Sequence, residues 1–183
     1  MNQTAPANPP VPAADGQPSF HIAFCVDNNY CRAMGATIAS IIANNPGRHF
    51  TFHVLSVELS EQHQKRLKRL EQMYPVRTCL HLLDLASFSQ FSHFLGHSHY
   101  SLSIFTRLMI PDMLRGQTDR VLYLDADILC VGQLDEMIAM DLGDTVAVVV
   151  PDAPVTTRRR VAALELAHAE YFNSGVMLMN IEP

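Results

Sequence analysis

Apolar blocks broken by short polar turns set the rhythm of this chain from Phe20 onward. FHIAFCV reads as a strand, the polar turn Asp27, Asn28, Asn29 and Tyr30 follows, and a helical stretch runs to about Asn44, where Asn44, Asn45, Pro46 and Gly47 stop it. Phe50 to Val57, FTFHVLSV, is a second strand. Ser60 can cap a helix through EQHQKRLKRLEQM, with Leu67, Leu70 and Met73 on one face and the basic residues toward solvent. Val76 to Leu85 is a third strand. Strand, helix, strand, helix, strand predicts a parallel sheet covered by helices on both faces. Ser101 to Leu114 predicts a further helix, Val121 to Leu124 a buried strand, and Leu134 to Met140 a short helix. Thr145 to Val150, TVAVVV, predicts another buried strand, ending in Pro151 and Asp152. Val155 to Ala169 predicts a helix, after which Tyr171 to Gly175 lead into an apolar GVMLMN stretch.

Composition narrows the class. A chain of 183 residues suits one core plus a tail. The Pro- and Ala-rich opening, MNQTAPANPPVPAADGQPS, reads as a disordered leader over residues 1–19, lacking the basic start and apolar centre of a secretory signal. Residues 20–183 then form the domain. With 48% apolar residues and no run near the roughly 20 that cross a bilayer, the chain reads as soluble. Net charge is −5 and no long basic stripe occurs, which argues against nucleic acid; Arg158, Arg159 and Arg160 read as a solvated helix face. Cys25, Cys31, Cys79 and Cys130 show no CxxC spacing, as expected of reduced thiols in the cytoplasm.

Candidate chemistry centres on VLYLDADILCV. Asp125 and Asp127 stand at the end of an apolar strand, where paired carboxylates need a compensating positive charge. Residues i and i+2 of an extended segment point the same way, so both can reach one hard cation such as Mg²⁺ or Mn²⁺. A turn with helix capping is the alternative. Asp27 and Asn29 could bond a ribose or a base, or simply form a capped turn. Arg107, among Ile104, Phe105, Leu108 and Met109, calls for an anion, either a protein carboxylate or a ligand phosphate. Asp152 is a further polar group at a strand end, and Gly175 marks a close approach to the backbone or a tight turn. His93, His97 and His99 lie in FSQFSHFLGHSHY without a cysteine or acidic partner nearby and read as an aromatic and polar loop rather than a zinc site.

Four segments in this order, FCVDNNY, FTRLMIPDML, VLYLDADILC and YFNSGVMLMN, closely resemble glycosyltransferase family 8, particularly its lipopolysaccharide core glucosyl- and galactosyltransferases. The likeness runs from about Phe20 to Asn180. It implies an α/β, GT-A type, Rossmann-like nucleotide-diphospho-sugar transferase fold, mostly parallel, with helices on both faces. It also implies a UDP-glucose or UDP-galactose donor, a Mn²⁺ or Mg²⁺ ion, a lipopolysaccharide core acceptor and retention of anomeric configuration. Carried over residue by residue, Asp27 and Asn29 match the nucleoside-binding turn, and Arg107 matches an arginine near the donor sugar and phosphates. Asp125 and Asp127 match the metal ligands, while Asp152, Asn173, Ser174 and Gly175 match the donor-sugar pocket.

Members of that family continue past the YFNSG element and supply from there a histidine metal ligand, a polar residue near the anomeric carbon, much of the acceptor site and often a basic, membrane-facing tail. The resemblance therefore implies an incomplete C-terminal part, catalytic groups beyond Pro183, peripheral contact with the inner membrane through that missing region, and little or no transferase activity of the 183-residue chain alone. Two other readings compete. A haloacid-dehalogenase-like phosphatase also carries two aspartates after a strand, one as nucleophile and one as general acid, but needs a downstream lysine, and none follows Lys68. The other is a non-catalytic remnant that binds nucleotide or a partner chain.

Overall fold

A computed structural model of the chain describes residues 18–84 and 103–181. Most of the expected leader, the end of the third expected strand at Leu85 and the loop with His93, His97 and His99 lie outside the described residues. The first five elements follow the expected rhythm: β1 (Phe20–Cys25), α1 (Cys31–Asn44), β2 (Phe50–Ser56), α2 (Glu61–Met73) and β3 (Val76–Leu82). Gly47, at φ 78, turns the chain between α1 and β2 in a region that a side chain would resist. Ser60 caps α2 by accepting the His63 amide. Leu67 is buried and Leu70 packs against the core, but Met73, the last residue of α2, is 58% exposed. Glu71 fastens α2 to β3 through the Thr78 amide and hydroxyl at 2.6 and 2.8 Å.

The expected helix over Ser101 to Leu114 is instead broken. Within the described residues it comprises α3 (Ser103–Thr106), a 3₁₀ turn (Arg107–Met109) and α4 (Ile110–Leu114). Pro111 has no amide hydrogen to donate, and its ring crowds the carbonyl four residues back, that of Arg107. The chain tightens there, and the Ile110 amide bonds the Arg107 carbonyl. After these come β4 (Arg120–Leu124), α5 (Asp135–Ala139), β5 (Ala147–Pro151), α6 (Pro154–Ala163) and β6 (Phe172–Asn180). The expected helix to Ala169 therefore ends early, with Glu165 at φ 50 just beyond it.

The sheet order is β3-β2-β1-β4-β6-β5. The first four strands are parallel, with Phe20 opposite Phe50, Phe50 opposite Val76 and Ala23 opposite Tyr123. β6 runs antiparallel to both β4 and β5. One apolar layer packs Ile22, Phe24 and Phe52 against Met34, Ile38 and Ile41 of α1 and Leu67 of α2; the opposite layer packs Ala23, Leu55 and Tyr123 against Ile110 and Leu114 of α4. Burial on both faces explains why β1, β2 and β4 are predominantly apolar rather than strictly alternating. Thr145 to Val150 was expected to be such a buried strand, but β5 is an edge strand whose Val148 and Val150 are exposed and whose residues belong to neither apolar layer.

Candidate functional site

The topology gathers the polar residues that stood out in the sequence. β1, β4 and β5 all run the same way and β6 runs opposite to them. Asp27 after β1, Asp125 and Asp127 after β4, Asp152 after β5 and Asn173 to Gly175 at the start of β6 therefore share one rim of the sheet. Strand order reverses beside β1, with β2 and β3 on one side and β4 on the other, and this is where open α/β sheets bind ligands.

Asp125 is the centre of a compact web. Its Oδ1 accepts the Tyr123 hydroxyl at 2.6 Å and faces Arg107 Nη2 at 3.4 Å. Arg107 Nη1 donates to the carbonyl and hydroxyl of Ser174 at 3.1 and 2.9 Å, and its guanidinium lies 4.8 Å from the centre of the Tyr123 ring. Pro111 contributes from a distance, since the 3₁₀ turn it forces begins at Arg107. The Asp125 amide bonds the Gly175 carbonyl at 2.8 Å, and the Gly175 amide bonds Asn173 Oδ1 at 2.8 Å. A Cβ on Gly175 would lie 2.7 Å from Asp125 Oδ2, so only glycine fits without displacing the carboxylate. The register of β6 allows this approach. Val149 faces Met177 but Val150 faces Asn173, so Ser174, Gly175 and Val176 bulge from β5 and lie along β4, where Val176 pairs with Leu124.

The segment after β4 is strapped down by α1. Buried Thr37 reaches the Ala126 and Ile128 carbonyls at 2.7 and 2.6 Å, Ser40 accepts the Cys130 amide at 2.9 Å, and Asn44 donates to the Cys130 carbonyl at 2.9 Å. Ala126 is thereby buried, while Asp127 on the same turn is exposed. Asp125 and Asp127 against the one guanidinium of Arg107 leave this part of the rim net negative. Among the described residues no three His, Cys, Asp or Glu side chains are grouped to hold a metal ion, so the oxygen donors here are the two carboxylates of Asp125 and Asp127.

Asp27 uses Oδ1 to accept the Asn29 and Tyr30 amides at 2.9 and 3.2 Å, the capped-turn arrangement, and Asn29 is exposed beside it. Asn28 joins this turn to α2 through the Ser60 amide at 2.8 Å. Asp152 bonds the Tyr171 carbonyl through its own amide and caps Ala153 with its carboxylate. It lines a cavity of about 930 Å³ between β5, α6 and the chain before β6, together with Arg158, His168, Glu170, Tyr171 and Phe172. The three arginines of α6 are exposed, as expected of a solvated face. All four cysteines are free thiols, and burial pushes Cys25, close to Thr106 and the Arg107–Asp125 pair, up to about 12. Burial likewise raises Tyr123 far above the usual phenol range, which keeps its hydroxyl a donor to Asp125.

Tyr123 and the Thr37, Ser40, Asn44 strap are contributors that sequence reasoning did not single out. The strap carries a signal, three polar residues spaced three and four apart in the part of α1 after Arg32, which is otherwise apolar. Tyr123 carries none by itself, since an aromatic residue fits any strand.

The comparisons with known proteins agree with this architecture. The chain is 34% identical over 170 residues to a lipopolysaccharide 1,2-glucosyltransferase of Escherichia coli, covering 91% of this chain and 49% of that protein. It is 31% identical over 166 residues to a lipopolysaccharide 1,3-galactosyltransferase of Salmonella typhimurium, covering 88% and 48%. The chain thus spans about half the length of these relatives. The crystal structure of the galactosyltransferase LgtC in complex with donor and acceptor sugar analogs superposes with a TM-score of 0.74 at 27% identity, over 89% of this chain and 58% of that one. The fold is accordingly the GT-A type, present here as a partial domain. The profile of glycosyl transferase family 8 matches residues 21–183, and the chain belongs to that family.

Proposed function

We propose that this chain forms the donor-binding part of a retaining hexosyltransferase that moves glucose or galactose from a UDP-sugar to a lipopolysaccharide core oligosaccharide at the cytoplasmic face of the inner membrane. The observation that carries the reading is the web joining Asp125, Arg107, Ser174 and Gly175 on the rim where the strand order reverses. The relatives' names supply the sugar and acceptor class. In the transfer, the bond from the sugar C1 to the diphosphate breaks, UDP leaves with its electron pair, and C1 bonds an acceptor hydroxyl whose proton is released.

The donor set fits a hard divalent cation. Asp125 and Asp127 offer carboxylate oxygens from one turn, and the bare Cα of Gly175 leaves room for Asp125 Oδ2. Asp125 and Asp127 would hold Mn²⁺ or Mg²⁺, and such an ion supplies charge stabilisation to the departing diphosphate. Arg107, fixed by Ser174 and the Tyr123 ring, adds a guanidinium whose planar fork suits a phosphate or a sugar hydroxyl. Asp27 and Asn29 face the nucleoside, and Asp152 and Asn173 the sugar. Family membership leaves the phosphatase reading without support.

Titration calorimetry with UDP and Mn²⁺ tests the assignment. The chain is expected to bind UDP in a Mn²⁺-dependent manner, and Asp127→Ala to lose that dependence with an unchanged thermal midpoint, because Asp127 is exposed. Equal Mn²⁺-dependent affinity in the variant overturns the metal assignment. Binding of neither UDP nor Mn²⁺ by the unaltered chain overturns the donor-binding reading.

A further inference from the structure

Away from the candidate site, three histidines on adjacent strands form a continuous row. His21 Nδ1 lies 2.8 Å from His53 Nε2, and His53 Nδ1 lies 3.0 Å from His81 Nε2. The rings stack with centroids 5.1 and 5.2 Å apart. The row crosses β1, β2 and β3 diagonally: His53 sits opposite Ala23 and His81 opposite Leu55. His53 is 1% exposed, whereas His21 and His81 at the two ends are half-buried. Gaps of this length each hold one hydrogen; a metal bonded to both nitrogens at about 2.0–2.1 Å each would hold them farther apart.

Counting protons shows what the row can do. Each gap needs one N–H donor and one bare nitrogen, so two hydrogens fill the two gaps. Three neutral imidazoles carry three hydrogens, and the third sits on one outer nitrogen, His21 Nε2 or His81 Nδ1. One added proton fills the other outer nitrogen and leaves both hydrogen bonds intact, while shifts of the gap hydrogens pass the charge along the three rings. A second added proton must place two hydrogens in one gap, which breaks that bond.

We propose that His21, His53 and His81 form a one-proton relay across the outer three strands of the sheet, loaded and emptied through its two half-buried ends and broken by a second proton. The surroundings oppose charge on the row. Burial lowers the affinity of all three rings for a proton, and His53, crowded also by its two neighbours and by Arg77, is pushed down to about 2. Among the described residues, Arg77 on β3 is a cation that faces His21 and His53, and the Cys79 thiol stands beside it on the same strand. Helix α3, packed on β1 and β2, brings no charged residue. Because the folded rings bind protons less readily than unfolded ones, their contribution to stability is complete above about pH 6.5 and falls as the pH drops below it.

Imidazole nitrogen NMR of the histidine-labelled chain from pH 8 to pH 4 tests the relay. The three rings are expected to move together, with one shared midpoint below 6.5 and one proton between them. His53→Phe keeps a ring in the stack but removes both gaps, so His21 and His81 should then titrate separately, each taking a full proton nearer 6.5. Should that variant not fold, His81→Gln at the half-buried end should leave His21 and His53 coupled and free only the second gap. Independent, full protonation of all three rings in the unaltered chain overturns the proposal, as does coupled movement that persists in His53→Phe.

Discussion

Ile22, Phe52 and Leu122 in the parallel block β3-β2-β1-β4 are completely buried, whereas Val148 and Val150 on β5 are 38% and 50% exposed. All these residues are β-branched, aliphatic or aromatic, and nothing in their own chemistry separates them. What differs is the covering. α1 and α2 close one face of the parallel block and α4 the other, while β5 joins neither apolar layer. The Asp125 web sits where the two regions meet, on β4 from the covered block and β6 from the antiparallel pair. The difference teaches that the two regions contribute unequally: the parallel block holds most of the core and carries Asp125, and the antiparallel pair delivers Asn173, Ser174 and Gly175 to it.

Three substitutions probe that division. Phe52→Ala, in the middle of the block, should lower unfolding free energy by about 3–5 kcal/mol in urea denaturation. A cost below about 1 kcal/mol would mean that the block is not the core. Gly175→Ala should cost about 1–3 kcal/mol, since the new methyl presses on a carboxylate held by Tyr123 and Arg107. It should also weaken Mn²⁺-dependent UDP binding more than Phe52→Ala does, measured by calorimetry at a temperature where both variants are folded. Equal binding by the two variants would break the assignment of chemistry to the seam. Val150→Ala on the exposed edge should stay within about 0.5 kcal/mol of the parent; a loss approaching that of Phe52→Ala would erase the contrast.

Much of the parallel block was legible in the sequence because its signals are local: apolar runs, the Ser60 cap and the Asn45 to Gly47 breakers. The polar rim was legible too, since Asp27, Asp125 and Asp152 each end a strand. Strand direction was not. The GVMLMN stretch reads the same whether it runs parallel or antiparallel to its neighbours, and its antiparallel pairing with β4 is a long-range fact. The same holds for β5, where TVAVVV promises burial that an edge position does not give. The break at Arg107 was written in Pro111, four residues on, but the surrounding apolar spacing masks it. Asp27 shows the limit of reading single residues. Its carboxylate accepts the Asn29 and Tyr30 amides in a turn, and only the sheet topology shows that this turn stands on the same rim as Asp125.

The place of β4 between β1 and β6 bears on the order in which the chain assembles. β1, β2 and β3 pair between near neighbours in sequence, but β4 must reach back across nearly a hundred residues to β1 and wait for β6, some fifty residues later, to close its other side. During synthesis from the N-terminus, the outer three strands can form while β4 still has an open edge. Asp125 then meets Gly175, and Arg107 meets Ser174, in the final pairing step, so a nascent chain acquires its polar rim after its core, and a ligand that bridges the rim would favour completion of that last seam.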